Sequence, residues 1–130
     1  MLTTIALLAG VQAADVRSPT VEPIVREEIS VIGRKLRDWR GSLKTRNGAL
    51  RCVTRKSTGD RDIDRIGCDA MVTCFPRFEG EFKTVLSATR DKAARNRMNV
   101  EISQRMAACV EQRHDVLVEA LADRRAAGRS

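Results

Sequence analysis

Four cysteines constrain this 130-residue chain more than any other feature: Cys52, Cys68, Cys74 and Cys109. An even number of cysteines in a small exported chain is typical of a disulfide framework. None of the four forms a Cys-x-x-Cys pair, and the single histidine, His114, could add at most one zinc ligand. The cysteines therefore predict two disulfides and no metal site.

The first residues predict export from the cytoplasm. An apolar run, Ile5 to Val11, leads into Val11-Gln12-Ala13, the small-x-small pattern that precedes a signal-peptidase cut. We interpret residues 1–14 as a signal peptide rather than as a buried core helix, because the polar residues 15–27, with Pro19 and Pro23, predict a flexible segment behind it. The expected compartment is the periplasm, with the extracellular space as an alternative.

A β-hairpin is predicted around Asn47-Gly48, since this pair favours a two-residue type I′ turn in which both residues have positive φ. This turn sets Arg46 opposite Ala49, Lys44 opposite Arg51, Leu43 opposite Cys52 and Arg40 opposite Arg55. Side chains alternate along a strand, so one face carries apolar residues and the other is basic. The basic face comprises Arg40, Lys44, Arg46, Arg51 and Arg55.

Helices are predicted on the C-terminal side of the hairpin. Asp60 is a good N-cap, with Asp62 and Asp64 in the first helical turn. The apolar spacing predicts helices from Asp60 to about Pro76, from Phe78 to Thr89, and from about Met98 onward, with a kink or turn over residues 91–97 and a frayed tail over residues 126–130. The predicted fold is thus a single α+β domain over residues 28–125, with a short antiparallel hairpin packed on about three helices.

Residues 28–33 are ambiguous. Ile29, Val31 and Ile32 favour a strand, whereas Val25, Ile29, Ile32, Leu36 and Trp39 also follow helical spacing. We favour a short third strand, because the segment is β-branched and ends in Gly33.

The disulfide pairing follows from these elements. Cys68 and Cys74 lie on one predicted helix and point about 120° apart, so they cannot easily bond together. Cys52 lies on the inner face of the strand that leads into this helix. We favour Cys52–Cys68 with Cys74–Cys109, and the alternative is Cys52–Cys74 with Cys68–Cys109.

Two short segments resemble parts of TonB-linked uptake systems. The strand–turn–helix unit from Leu50 to Cys68 resembles the C-terminal domain of TonB proteins, at Ser57, Gly59, Ile63 and Asp64. Glu27 to Gly33 looks like the TonB box of outer-membrane receptors. The resemblance implies an accessory role in uptake, in which residues 27–33 would add a strand to a partner.

The whole chain also resembles small exported proteins of Gram-negative bacteria that carry Trp-Arg-Gly, Ser-Thr-Gly-Asp and a cysteine-rich helix. Here these motifs are residues 39–41 and 57–60 and the helix of Cys68 and Cys74. That resemblance supports the periplasm and implies no activity.

The sequence provides no catalytic, metal or cofactor motif. Asp60-x-Asp62-x-Asp64 resembles the start of a calcium loop, but Arg65 and Met71 replace its required Gly and Glu. The sequence contains no nucleophile motif for which His114 could act as a general base. We therefore expect a protein that is not an enzyme.

Charge is the most informative remaining feature. Residues 34–61 hold ten Lys or Arg against Asp38 and Asp60, a net charge of +8, while the whole chain carries +7. Like charges that face each other across two strands are unfavourable, and an anionic partner would relieve that cost. A merely soluble basic surface is one interpretation. The other is an anion-binding face, whose candidate partners are lipopolysaccharide, an anionic lipid or an acidic periplasmic protein. Nucleic acid is not expected, because the basic face has no stacking aromatics.

Overall fold

The structure is a computed structural model, and it describes residues 21–129. The chain forms an α+β fold with the element order α1 (Glu22–Asp38), β1 (Arg40–Arg46), β2 (Ala49–Lys56), α2 (Arg61–Ala88) and α3 (Lys92–Arg129). The two strands form one antiparallel sheet. The predicted fold class, a hairpin packed on three helices, is confirmed. The predicted signal peptide lies outside the described residues.

The hairpin has the predicted turn and most of the predicted register. Asn47 and Gly48 have φ values of 52° and 76°, as a type I′ turn requires. Lys44 pairs with Arg51. At the far end, an irregularity between Arg40 and Gly41 shifts the pairing, so that Arg40 faces Lys56. The expected Arg40–Arg55 pair is therefore wrong.

The predicted third strand is also wrong, because residues 28–33 belong to helix α1. Burying Val25, Ile32 and Leu36 on one face of a helix outweighs the β-preference of the branched residues. The helix begins at Glu22, inside the segment predicted to be flexible. Pro23 is compatible with this start, since a proline in the first turn removes no intrahelical hydrogen bond.

The C-terminal half differs from the prediction in its helix boundaries. Helix α2 continues through Pro76 to Ala88, whereas two helices were expected. Asp91 caps helix α3 by accepting a hydrogen bond from the Ala94 N–H at 3.0 Å. The predicted frayed tail is helical to Arg129, because Ala126 is fully buried in the core.

The core lies where α1 and the first part of α2 meet the C-terminal half of α3. Its buried side chains are Val25, Ile32, Leu36, Trp39, Ile63, Ile66, Val118, Leu121, Ala122 and Ala126. The N-terminal half of α3 packs along the second half of α2, where Val85 and Ile102 are buried. No helix within residues 21–129 is long and apolar enough to span a membrane.

Two disulfides join these elements. Cys52 on β2 is bonded to Cys68 on α2, and Cys74 on α2 is bonded to Cys109 on α3. This is the pairing that the sequence favoured. Two disulfides in so small a domain are consistent with an oxidising compartment.

Candidate anion-binding surface

The connection between the hairpin and α2 is fixed by aspartates. The Asp60 carboxylate accepts hydrogen bonds from the N–H groups of Asp62, at 3.0 Å, and Ile63, at 3.3 Å. Asp64 accepts from the Thr58 N–H at 2.8 Å, from the Thr58 hydroxyl at 2.7 Å, and from the Ser57 hydroxyl. These carboxylates satisfy backbone and hydroxyl donors of their own loop, as expected for a helix cap. The predicted N-cap is confirmed.

Helix α3 reaches the same cap from the opposite side. Arg125 Nη2 lies 2.6 Å from Asp60 Oδ2 and 3.6 Å from Asp62 Oδ2. Burial opposes ionisation of Asp60, but the hydrogen bonds from Arg125 and from the Ile63 N–H hold its pKa below the ordinary value. The start of α2 is thus fixed to the end of α3.

The inner face of the hairpin is anchored to the helices. Trp39, just before β1, is buried and donates its indole N–H to the Thr54 hydroxyl at 3.1 Å. Cys52, two residues earlier on the same face of β2, is bonded to Cys68 of α2. The covalent bond and the buried indole fix this face of the hairpin on the helices, while the opposite face is exposed.

That outer face presents five exposed cations, and three of them, Lys44, Arg46 and Arg51, make no side-chain hydrogen bond to another described residue. Lys44 and Arg51 lie directly opposite each other across the strands, and Arg46 lies next to the turn. Among residues 21–129, no carboxylate lies within 4.0 Å of the charged groups of these three residues. We call Lys44, Arg46 and Arg51 the basic hairpin face.

The other two predicted anion-binding residues have partners within the protein. Arg40 Nη1 donates to the carbonyl oxygens of Arg37 and Trp39, both at 2.7 Å. Arg55 Nε donates to the Ser42 hydroxyl at 2.9 Å, across the two strands. Both guanidinium groups thus stabilise the hairpin. Of the five predicted anion-binding residues, Lys44, Arg46 and Arg51 are the three without such a hydrogen bond in the described part of the chain.

His114 lies apart from this surface, in a cleft between α1 and α3. Its buried Nε2 has no hydrogen-bond partner among the described residues. Burial lowers its pKa, and the charges of Asp115 and Glu111 oppose that shift. Within residues 21–129, no group of three His, Cys, Asp or Glu side chains is arranged to hold a metal ion.

The structure also contains a cleft that the sequence analysis missed. It has a volume of about 560 Å³ and lies between the second half of α2 and the first half of α3. No local motif marks it, because its walls come from segments some twenty residues apart. Comparison of the chain with known protein families, curated proteins and solved structures found no match.

Proposed function

We propose that the protein is a non-enzymatic, exported protein that binds a phosphate-bearing lipid surface through its basic hairpin face. The observation that carries the proposal is the Lys44–Arg51 pair, in which two exposed cations face each other with no carboxylate within 4.0 Å among residues 21–129. Such a pair costs folding free energy, and a phosphate between the two cations would remove the repulsion.

Arginine and the exposed strand surface favour phosphate as the ligand group. A guanidinium donates two parallel hydrogen bonds to phosphate oxygens, which a single ammonium cannot do. The face is carried by a two-stranded ribbon whose inner side is held to the helices, so its cations are arranged over a surface rather than within a pocket. This arrangement suits a layer of headgroups, such as lipopolysaccharide or anionic phospholipid.

The periplasm is the compartment that supports this function best. Residues 1–14 have the pattern of a signal peptide, and the two disulfides are consistent with an oxidising environment. Phosphate-bearing lipid surfaces border that compartment. An acidic protein is the other partner that such a face could bind.

Vesicle co-sedimentation tests the proposal. The oxidised protein should bind vesicles that contain phosphatidylglycerol or lipopolysaccharide, should not bind phosphatidylcholine vesicles, and should be released as salt increases. The triple variant Lys44→Glu, Arg46→Glu, Arg51→Glu should lose binding. Its circular dichroism and Trp39 fluorescence should remain those of the parent.

A matched control variant distinguishes binding through the hairpin from binding that depends only on the net charge of the protein. Arg90, just before α3, and Lys92 and Arg97, in the first turns of α3, are exposed and lie far along the chain from the hairpin. Reversing these three charges changes the net charge by the same amount and should leave most of the binding intact. Equal losses in the two triple variants would mean that net charge, and not the hairpin, drives binding.

The fold offers no support for strand addition by residues 27–33. These residues form part of α1, and within them Glu28 and Ile32 are buried. An extended strand would require the helix to unfold and the core to open.

A further inference from the structure

We infer that the cleft between α2 and α3 binds a small apolar carboxylic acid, at a site separate from the basic hairpin face. The cleft volume of about 560 Å³ is within the range of small-molecule sites. Val85, Ile102 and Met98 line its apolar part, which makes up the larger share of its surface, and the rest is polar or charged.

Two residues that are unfavourable in helices line this cleft from the same side of α2. Pro76 and Gly80 are four residues apart, so they lie on one face of the helix. Pro76 lacks the N–H that would bond the Val72 carbonyl, and a glycine inside a helix costs about 1 kcal/mol relative to alanine. Helix stability therefore does not explain either residue.

Packing does not explain Gly80 either. A Cβ placed at Gly80 would have no neighbouring atom within 4 Å, and the backbone there does not have positive φ. By contrast, Gly67 in the same helix is needed for close contact with Trp39. Because Gly80 has no side chain, the space beside it in the cleft stays free for a ligand.

The charged residues that line the cleft indicate which polar group a ligand would carry. Glu81 on α2 binds Arg105 on α3 through two hydrogen bonds of 2.6 and 3.1 Å. The charge of Glu101, the other lining carboxylate, also interacts with Arg105. Arg77 is the other cation that lines the cleft. Among residues 21–129, no carboxylate lies within 4.0 Å of its guanidinium group.

Arg77 is at one end of the apolar surface. Its Nη1 contacts the Cys109 sulfur at 3.7 Å, which places the guanidinium beside the Cys74–Cys109 disulfide. Val85 lies eight residues further along α2, about 12 Å from Arg77 along the helix axis. A medium-chain carboxylic acid fits this arrangement, with its carboxylate at Arg77 and its chain along Val85 and Ile102.

Titration calorimetry with decanoate, on the oxidised full chain, tests this site. Decanoate should bind with one-to-one stoichiometry, and decyltrimethylammonium, with the same chain and the opposite charge, should not. Gly80→Leu should eliminate binding, since the leucine side chain would project into the path of the ligand chain without a backbone clash. Arg77→Gln should weaken binding roughly fivefold, as expected for one charge-assisted hydrogen bond near solvent.

Two control variants locate the binding. Gly33→Leu makes the same change at another open helical glycine, in the α1–α3 cleft, and should bind decanoate normally. The Lys44→Glu, Arg46→Glu, Arg51→Glu variant should also bind normally. The inference is overturned if the parent protein does not bind decanoate, if Gly80→Leu binds as tightly as the parent, if the ammonium compound binds equally well, or if only the hairpin variant loses binding.

Discussion

The indole ring of Trp39 lies so close to Gly67 that a methyl group on Gly67 would come within 2.4 Å of the ring. A methyl group on Gly41 would come within 2.3 Å of other atoms of the same ring. The single tryptophan is therefore held between β1 and α2, and together with the Cys52–Cys68 disulfide it fixes the hairpin on the helices.

This contact predicts opposite effects of one substitution at two glycines of α2. Gly67→Ala should destabilise the protein by about 1–3 kcal/mol, because the ring and helix must separate. Gly80→Ala should stabilise it by about 0.5–1 kcal/mol, since its Cβ meets nothing and alanine favours the helix. Urea unfolding followed by Trp39 fluorescence measures both. Stabilisation by Gly67→Ala would contradict the described packing.

The two disulfides should differ in their contribution to stability. They close loops with sequence separations of 16 and 35 residues. In the chain-entropy account, the first contributes about 3 kcal/mol and the second about 4 kcal/mol. The double variants Cys52→Ser/Cys68→Ser and Cys74→Ser/Cys109→Ser, compared by urea unfolding, check this order. A larger loss from the shorter loop would show that the entropy of the unfolded chain does not dominate.

A substitution at Arg51 should raise the stability of the hairpin and weaken its binding to lipid. Arg51→Glu places a carboxylate directly opposite Lys44 and replaces a repulsive pair by an attractive one. We expect the variant to be more stable than the parent by about 0.5–1 kcal/mol and to bind anionic vesicles more weakly. Thermal unfolding and co-sedimentation measure the two effects. A variant that loses stability as well as binding would contradict the repulsion between Lys44 and Arg51.

Acid should destabilise the protein through the Asp60–Arg125 pair. The pKa of Asp60 in the folded protein is below the reference value of 3.8, so the unfolded chain binds more protons over this range. The stabilisation is thus complete above about pH 5 and is lost as the pH falls through the folded-state pKa. Asp60→Asn should cost about 1 kcal/mol at pH 7 and progressively less below pH 4. A cost that does not change with pH would rule out the ion pair as its source.

Local signals predicted the parts of the fold that depend on a few adjacent residues. Asn47-Gly48 fixes both the turn and the register near it, because positive φ at two successive residues suits one kind of hairpin. Asp60 predicts the start of α2, since its side chain bonds N–H groups only two and three residues away. The pairing of Cys52 with Cys68 follows from the strand and the helix that carry them.

Features that depend on tertiary contacts were predicted poorly. Ile29, Val31 and Ile32 are good strand residues, but helix α1 is stabilised by burial against α2 and α3, which the local pattern does not contain. Pro76 is a helix-breaking residue, yet α2 continues through it, packed along α3 and joined to it by the Cys74–Cys109 disulfide.

The candidate surface was predicted in outline and corrected in detail. The alternation of residues along the strands predicts that Lys44, Arg46 and Arg51 share one exposed face. It does not reveal that Arg40 binds two carbonyl groups or that Arg55 binds Ser42. Those contacts depend on side-chain conformations, which the alternation of residues along a strand does not determine.

The most direct test of the account is to map the lipid contact residue by residue. Amide NMR spectra of the oxidised protein would be recorded with nanodiscs containing phosphatidylglycerol and with phosphatidylcholine nanodiscs as a control. We expect signal loss centred on residues 44–51, only with the anionic lipid, and reversed by salt. Loss centred on α3, or equal loss with both lipids, would contradict a lipid-binding role for the basic hairpin face.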